Sequence, residues 1–393
     1  MTDVFIVGAA RTPIGSFGGS LKDWAPGDLG AHVGRAAIAR AGIAADAVEN
    51  VVFGNVIPTE PRDGFVARVV GIGAGVPQEA PALTVNRLCG SGLQAIVSAA
   101  QSILLGDNRI ALAGGTEVMS RAPFYATQMR WGQRMGDAAM IDGLTGALTD
   151  PFHKYLMGVT AENVAARYGI TREEQDAIAL ESQLRAARAI TEGRFAAQIA
   201  PVELTTRKGT TLFDTDEYVR MNAVPEDFAK LRPAFARENG TVTAGNASGI
   251  NDGAAAVVLA SGEAVRDHGL TPLARLVSYG IAGVDPAYMG IGPVPSTRIA
   301  LDRAGLAVAD LDVIEANEAF AAQALAVAKV LGFDREKLNP NGSGVALGHP
   351  VGATGGRIMS TLLNEMQRRK ARYGLETMCI GGGQGIAMVF ERA

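Results

Sequence analysis

Residues 35–55 read RAAIARAGIAADAVENVVFGN, and residues 298–318 read RIALDRAGLAVADLDVIEANE. Each is an Ala-rich helical pattern stopped by glycine (Gly42, Gly305), then an acidic turn, then a short strand ending at an asparagine, Asn55 or Asn317. Glycine ends a helix well because it takes the left-handed conformation without a Cβ penalty. About thirty residues past each asparagine comes a Gly-rich turn that opens a helix, with Cys89 in the first copy and His349 in the second. Each copy closes on a strand entering glycines, ALAGGTE at 111–117 and CIGGGQG at 379–385. Four matches in one order, offset by 260 to 267 positions, read as an internal duplication. Strand-like and helical patterns alternate along both copies, so the expected class is α/β. Strands are expected at Val4–Ala9, Asn50–Val56 and Ile110–Ala113, and helices at Leu29–Ala41 and Gly90–Leu105. The expected division is a first half at 1–118 plus 250–270, a second half at 271–393, and a more polar insert at 119–249. In the insert, Thr171-Arg-Glu-Glu174 is a capping box that starts an amphipathic helix.

Composition narrows the functional classes. With 48% apolar and 19% charged residues in 393, packed cores are expected and long disorder is not. A formal charge of −4 supplies no global attraction to nucleic acid or to an anionic membrane, so neither is expected as a partner. A polyanionic ligand would need a local basic patch. The two cysteines cannot build a disulfide framework and fit a reducing compartment. The opening residues lack the basic and long apolar regions of an export signal. No uninterrupted apolar run reaches 18 residues, so no membrane span is expected, and the expected location is the cytoplasm.

Three segments carry chemistry. In ALTVNRLCGSGLQAIVSAAQSILLG a strand leads to Cys89, two glycines and a long apolar helix, which puts the sulfur near free N–H groups and the helix dipole. The same pattern alone also fits a small core cysteine. In NPNGSGVALGHPVGATGGRI, Pro350 keeps His349 out of helical geometry, in an irregular loop before the next helix. His349 is one of only four histidines; by itself it also fits a turn histidine bonded to a carbonyl. In ETMCIGGGQGIAMVFE a strand delivers Cys379 into three glycines, where the Gly381 N–H could serve a developing oxyanion. Asn317 could cap the following helix or hold a water or carbonyl oxygen. No G-x-G-x-x-G follows the first strand and no Walker sequence occurs. A thiol with a histidine is an activated nucleophile, and a second thiol suits removal of a weakly acidic α-proton. Together they match a reaction that makes an acyl-enzyme and then an enolate.

NRLCGSGLQA, NEAFA, NGSGVALGHPVGATG and CIGGGQG stand in the order and spacing of the thiolases, which the whole chain resembles. The resemblance implies a five-layer αβαβα fold with duplicated halves and an inserted loop domain for coenzyme A and oligomer contacts. It implies ping-pong Claisen condensation of two acyl-CoA molecules and the reverse thiolysis, with short-chain substrates, no metal and no tightly bound cofactor. The alternatives are a degradative 3-ketoacyl-CoA thiolase of broader chain length and a β-ketoacyl synthase-like enzyme; the latter would want a histidine where Asn317 stands. The implied roles are Cys89 as nucleophile, His349 as its base, and Asn317 as holder of a water in one oxyanion pocket. Cys379 would be the acid/base thiol, and the N–H groups of Cys89 and Gly381 the second pocket. Arg220, Leu231, Ala244, Ser248 and Met157 match positions along coenzyme A. Two departures stand out. Leu156 occupies a position that is usually His in short-chain biosynthetic members, and Asp227 replaces a serine near the adenine end of coenzyme A. Members are usually homotetramers, dimers of dimers.

Overall fold

The computed structural model describes residues 3–207 and 209–393. In the first half, β1 (Val4–Arg11), β2 (Asn50–Gly54), β3 (Ala82–Val85), β4 (Ile110–Val118) and β5 (Asn251–Ser261) form one side of the central sheet. In the second half, β6 (Ala274–Gly283), β7 (Val313–Ala316), β8 (Tyr373–Ile380) and β9 (Gln384–Arg392) form the other. The order along the sheet is β7-β8-β9-β6-β1-β5-β4-β2-β3, and a two-residue strand at Gly15–Ser16 pairs with the start of β5.

The duplication is written in the pairing. From β1 outward the neighbours run antiparallel to β5, antiparallel to β4, then parallel to β2. From β6 outward they run antiparallel to β9, antiparallel to β8, then parallel to β7. Where the halves meet, β1 and β6 share only the pairs Phe5↔Arg275 and Ile6↔Ala274.

Helices α1 (Pro26–Ala41) and α2 (Val66–Gly73) cover the outer face of the first half, burying Leu29, Val33 and Val70 against Val51, Leu112 and Val258. Helix α3 (Ser91–Leu105) packs beside a helix at Thr354–Arg369 in a central layer, where Ile96, Ile358 and Leu362 join Val257, Met378 and Ile386 in one core. A third apolar cluster, with Leu301, Val327, Leu375 and Val389, places helices Pro293–Ala304 and Ala321–Leu331 on the outer face of the second half. This gives the five layers. Gly42, Gly106 and Gly305 end their helices at φ 72°, 84° and 66°, as the glycine stops predict.

Residues 88–105 are long and apolar enough by composition to cross a bilayer, a run the count of consecutive apolar residues misses because Gly, Ser and Gln interrupt it. In the fold, Leu93, Ile96, Val97 and Ala100 are wholly buried between the two halves, as expected of a helix apolar on all sides inside a protein. Strand β4 also runs through Gly114 and Gly115 to Val118, five residues past the expected end.

Between β4 and β5 the chain leaves the central sheet for two short hairpins and several helices. The longest of these, Arg172–Thr191, opens with the expected capping box: Thr171 accepts from the Glu174 N–H, and Glu174 accepts from the Thr171 N–H.

Candidate active site

Cys89 stands at the end of the loop between β3 and α3. Leu88 sits at φ 46°, a left-handed conformation that side chains disfavour. Asn86 Oδ1 accepts the Leu88 N–H, while the Ser91 hydroxyl accepts the Arg87 N–H and donates to the Leu88 carbonyl. These bonds hold the bend that aims Cys89. Two glycines let the second half reach this corner. A side chain at Gly90 would collide with Ile380, and one at Gly355 would collide with the Leu93 backbone. The half-site of each copy is therefore pressed against the other.

His349 is buried, and its backbone N–H donates to Asn251 Oδ1 at 3.0 Å. Its Nδ1 lies 2.6 Å from the Thr354 hydroxyl, which donates its own proton to the Pro350 carbonyl at 2.9 Å. The hydroxyl must then accept from His349 Nδ1–H, which leaves Nε2 unprotonated. Asn317 Nδ2 approaches that Nε2 at 3.4 Å. Asn317 caps no helix: the following helix starts at Ala321, with Phe320 at its N-cap and no side-chain cap bond. The capping role considered for Asn317 is replaced by contact with His349, because three residues that include a bend at Ala319 separate it from the start of the helix. Asn317 Oδ1 is buried and has no hydrogen-bond partner among the described residues, free to hold a water or ligand group.

Cys379, one residue before the end of β8, is fully buried among Met157, Met289 and Ala319. The Gly381 N–H reaches the Cys89 sulfur. Burial pushes the Cys89 thiol up, against the pull of the Gly381 N–H and its own N–H. The residue keeps a partly open face onto a cavity although the sulfur itself is desolvated. This differs from the thiolate that the helix dipole suggests, because Cys89 lies ahead of the Gly90 N-cap in a dry site. Burial, and then proximity to Cys89, pushes the Cys379 thiol well up. Both sulfurs rest as thiols.

Burial and the Arg357 charge lower His349 to about 3, so the imidazole is neutral at rest. As pH falls from about 6.5 to about 3, the unfolded chain takes up a proton that folded His349 refuses. Folding stability is therefore expected to fall in that window, by up to ~1.4 kcal/mol per pH unit. Denaturant midpoints from pH 7 to pH 4 test this, and His349→Gln should flatten the slope.

The cavity in front of these groups holds about 430 Å³. Cys89, His349 and Gly381 stand on its wall with Met157, Ala244 and Ser248. The rest is mostly apolar, with Phe235, Phe320, Leu148 and Leu156 prominent. Arg220 and Leu231 are not on this wall: the exposed Arg220 guanidinium lies 5.9 Å from the Phe228 ring centre, and the Leu231 carbonyl accepts from Arg172. Asp227 is held by Lys230 at 2.9 Å. Sequence reading did not find Leu88, Asn251 or Thr354. Their positions matter only through contacts made in three dimensions, and no spacing marks them.

A thiol under an N–H donor and a neutral imidazole base meet at one apolar cavity built by two copies of one fold, and the second thiol lies buried directly behind its wall residues Met157, Met289 and Ala319. The N-terminal thiolase domain matches residues 4–263 and the C-terminal thiolase domain residues 270–392. The chain belongs to the thiolase family. It is 64% identical over 390 residues to the beta-ketothiolase BktB of Cupriavidus necator, covering 99% of each chain. It is 52% identical over 396 residues to the acetyl-CoA acetyltransferase of Syntrophomonas wolfei, covering 99% of each. The crystal structure of human mitochondrial 3-ketoacyl-CoA thiolase in complex with CoA superimposes with a TM-score of 0.96 at 45% identity, covering 100% of this thiolase and 98% of that chain.

Proposed function

We propose that this thiolase makes and cleaves short 3-ketoacyl-CoA molecules through a covalent acyl-Cys89 intermediate. The observation that carries the reading is the meeting of Cys89, Gly381 and His349 on one cavity wall, with Cys379 buried close to Cys89 behind Met157, Met289 and Ala319. In thiolysis, His349 takes the Cys89 proton and the sulfur attacks the 3-keto carbon. The C2–C3 bond breaks, its electron pair forms the enolate of acetyl-CoA, and Cys379 protonates that carbon. Coenzyme A then takes the acyl group from Cys89. Condensation runs the same steps backward, with Cys379 as the base. The N–H groups of Cys89 and Gly381 receive one oxyanion; His349 with a water on Asn317 receives the other. A neutral imidazole suits the base, and a thiol kept protonated becomes a strong base once ionised.

The acyl group lies against the apolar wall, and the pantetheine arm runs past Met157, Ala244 and Ser248. Arg220 and Leu231 serve the distal part of coenzyme A, outside the cavity. Residues 119–249 act as the loop domain between halves 1–118 plus 250–270 and 271–393. The chemistry draws on these side chains and on coenzyme A as substrate, with no resident cofactor or metal. The active form is a homotetramer in the cytoplasm, where a reducing environment preserves the two thiols.

Leu156, 39% exposed on the cavity wall, widens the range of acyl groups relative to a histidine there. Thiolysis rates on 3-ketoacyl-CoA substrates of four, five, six and eight carbons test the assignment. Five- and six-carbon substrates should be cleaved within about tenfold of the four-carbon one, and Leu156→His should worsen that ratio by roughly another tenfold. Equal chain-length profiles for the two proteins would remove Leu156 from specificity.

A further inference from the structure

Glu117, next to the last residue of β4, is fully buried behind the cavity wall. Its carboxylate receives four N–H groups. Oε1 accepts from Asn55 Nδ2 at 3.2 Å and from the Ile57 N–H at 3.1 Å. Oε2 accepts from the Val56 N–H at 3.0 Å and from the Gly352 N–H at 2.9 Å. Three donors belong to the Asn55 corner of the first half, and the fourth belongs to the turn just after His349. Val56 and Val351, beside these donors, both face the cavity with Cys89 and His349. A side chain at Gly352 would collide with Glu117 Oε2, so the turn is seated directly on the carboxylate.

Burial pushes the Glu117 carboxyl up to about 8, against the pull of its N–H donors. The hydrogen bonds decide for the ionised form. Every contact to the two oxygens comes from a donor, so a carboxylic acid would have no acceptor for its hydrogen and would displace an N–H.

We propose that Glu117 is a positioning residue for acyl transfer: it holds the His349 corner in register with Cys89. Its negative charge also disfavours ionisation of the Cys89 thiol. This rests on Cys89 being the nucleophile. The groups that face Cys89 are Glu117 from β4, Cys379 from β8 and, across the cavity, His349. Arg87, two residues before Cys89, turns its guanidinium to Gln384 Oε1 at 2.9 Å. Glu117 in turn faces the buried Asp63, and His349 faces Arg357.

The test follows iodoacetamide alkylation of Cys89 against pH in the full-length enzyme, read by mass spectrometry of its peptide, beside thiolysis kinetics. Glu117→Gln removes the charge, so the alkylation midpoint should move down by about one pH unit. Its kcat should fall roughly 10- to 100-fold from lost register, with KM within about threefold. Glu117→Asp keeps the charge and shortens the reach, so its kcat should fall while the midpoint stays at the wild-type value. An unshifted midpoint in Glu117→Gln overturns the electrostatic role, as does a shift shared by both variants, which marks a loosened site. If Glu117→Gln does not fold, Glu117→Asp decides: wild-type kcat overturns the proposal, and a lowered kcat with unchanged KM and midpoint supports it. Cys89→Ser is run alongside. If that variant retains thiolysis, the nucleophile assignment fails, while the midpoint difference still reports the charge of Glu117.

Discussion

Cys89→Ser is expected to lower kcat/KM for thiolysis of a four-carbon 3-ketoacyl-CoA by at least ~10⁴-fold, because the nucleophile, its base and its N–H donors act as a unit. Serine keeps the corner intact: Leu88 retains its left-handed bend and Gly381 its aim. The change therefore isolates nucleophilicity. A hydroxyl is a far weaker acid than a thiol, and a neutral His349 is a modest base for it. The shorter C–O bond also draws the attacking atom back from the donor. Single-turnover experiments should show no acetyl group on the protein after mixing with acetyl-CoA. Full thiolysis activity in the serine protein would sink the assignment.

Cys379→Ala separates the two half-reactions. Exchange of an acetyl group between coenzyme A molecules needs Cys89 with His349 and the N–H donors but no base at carbon, since no carbon–hydrogen bond is broken. Condensation needs a base at the methyl carbon of the second acetyl-CoA. Removing a positioned base typically costs 10² to 10⁴ in rate, so condensation should fall ~10³-fold while exchange stays within about tenfold. Cys379 is wholly buried among Met157, Met289 and Ala319, and the missing sulfur leaves only a small void there. The contrast between exchange and condensation is thus insensitive to minor destabilisation. Exchange and condensation falling together would assign Cys379 to the acyl-transfer step instead.

Much of this was legible along the chain. The paired segments at 35–55 and 298–318 lead to two halves with the same strand order and the same parallel and antiparallel pairings. Glycine stops mark helix ends because the left-handed conformation is a local, single-residue property. The Thr171–Glu174 capping box is local for the same reason. The corners carrying Cys89, His349 and Cys379 announce themselves through glycines where the backbones of the halves must nearly touch.

What stayed hidden depends on contacts between distant residues. Asn317 reads either as a helix cap or as the holder of a water, and only the fold separates the two: the helix starts at Ala321 and the amide lies beside His349 Nε2. The free nitrogen of His349 is decided by Thr354, whose one proton is committed to the Pro350 carbonyl. Glu117 is a single acidic letter at a strand end, yet it gathers donors from two halves of the molecule. The protonation of Cys89 likewise goes against its sequence context: a thiol near a helix start reads as a thiolate, and burial reverses that.

By itself, then, the sequence determined the duplication, the α/β class and the residue types at the reacting corners, since these rest on local periodicity, glycine stops and repeat spacing. The tertiary structure alone decided which of these groups meet, which nitrogen of His349 is free and which sulfur keeps its proton. Those properties arise from desolvation and from hydrogen bonds between residues far apart in the chain, which no local pattern encodes.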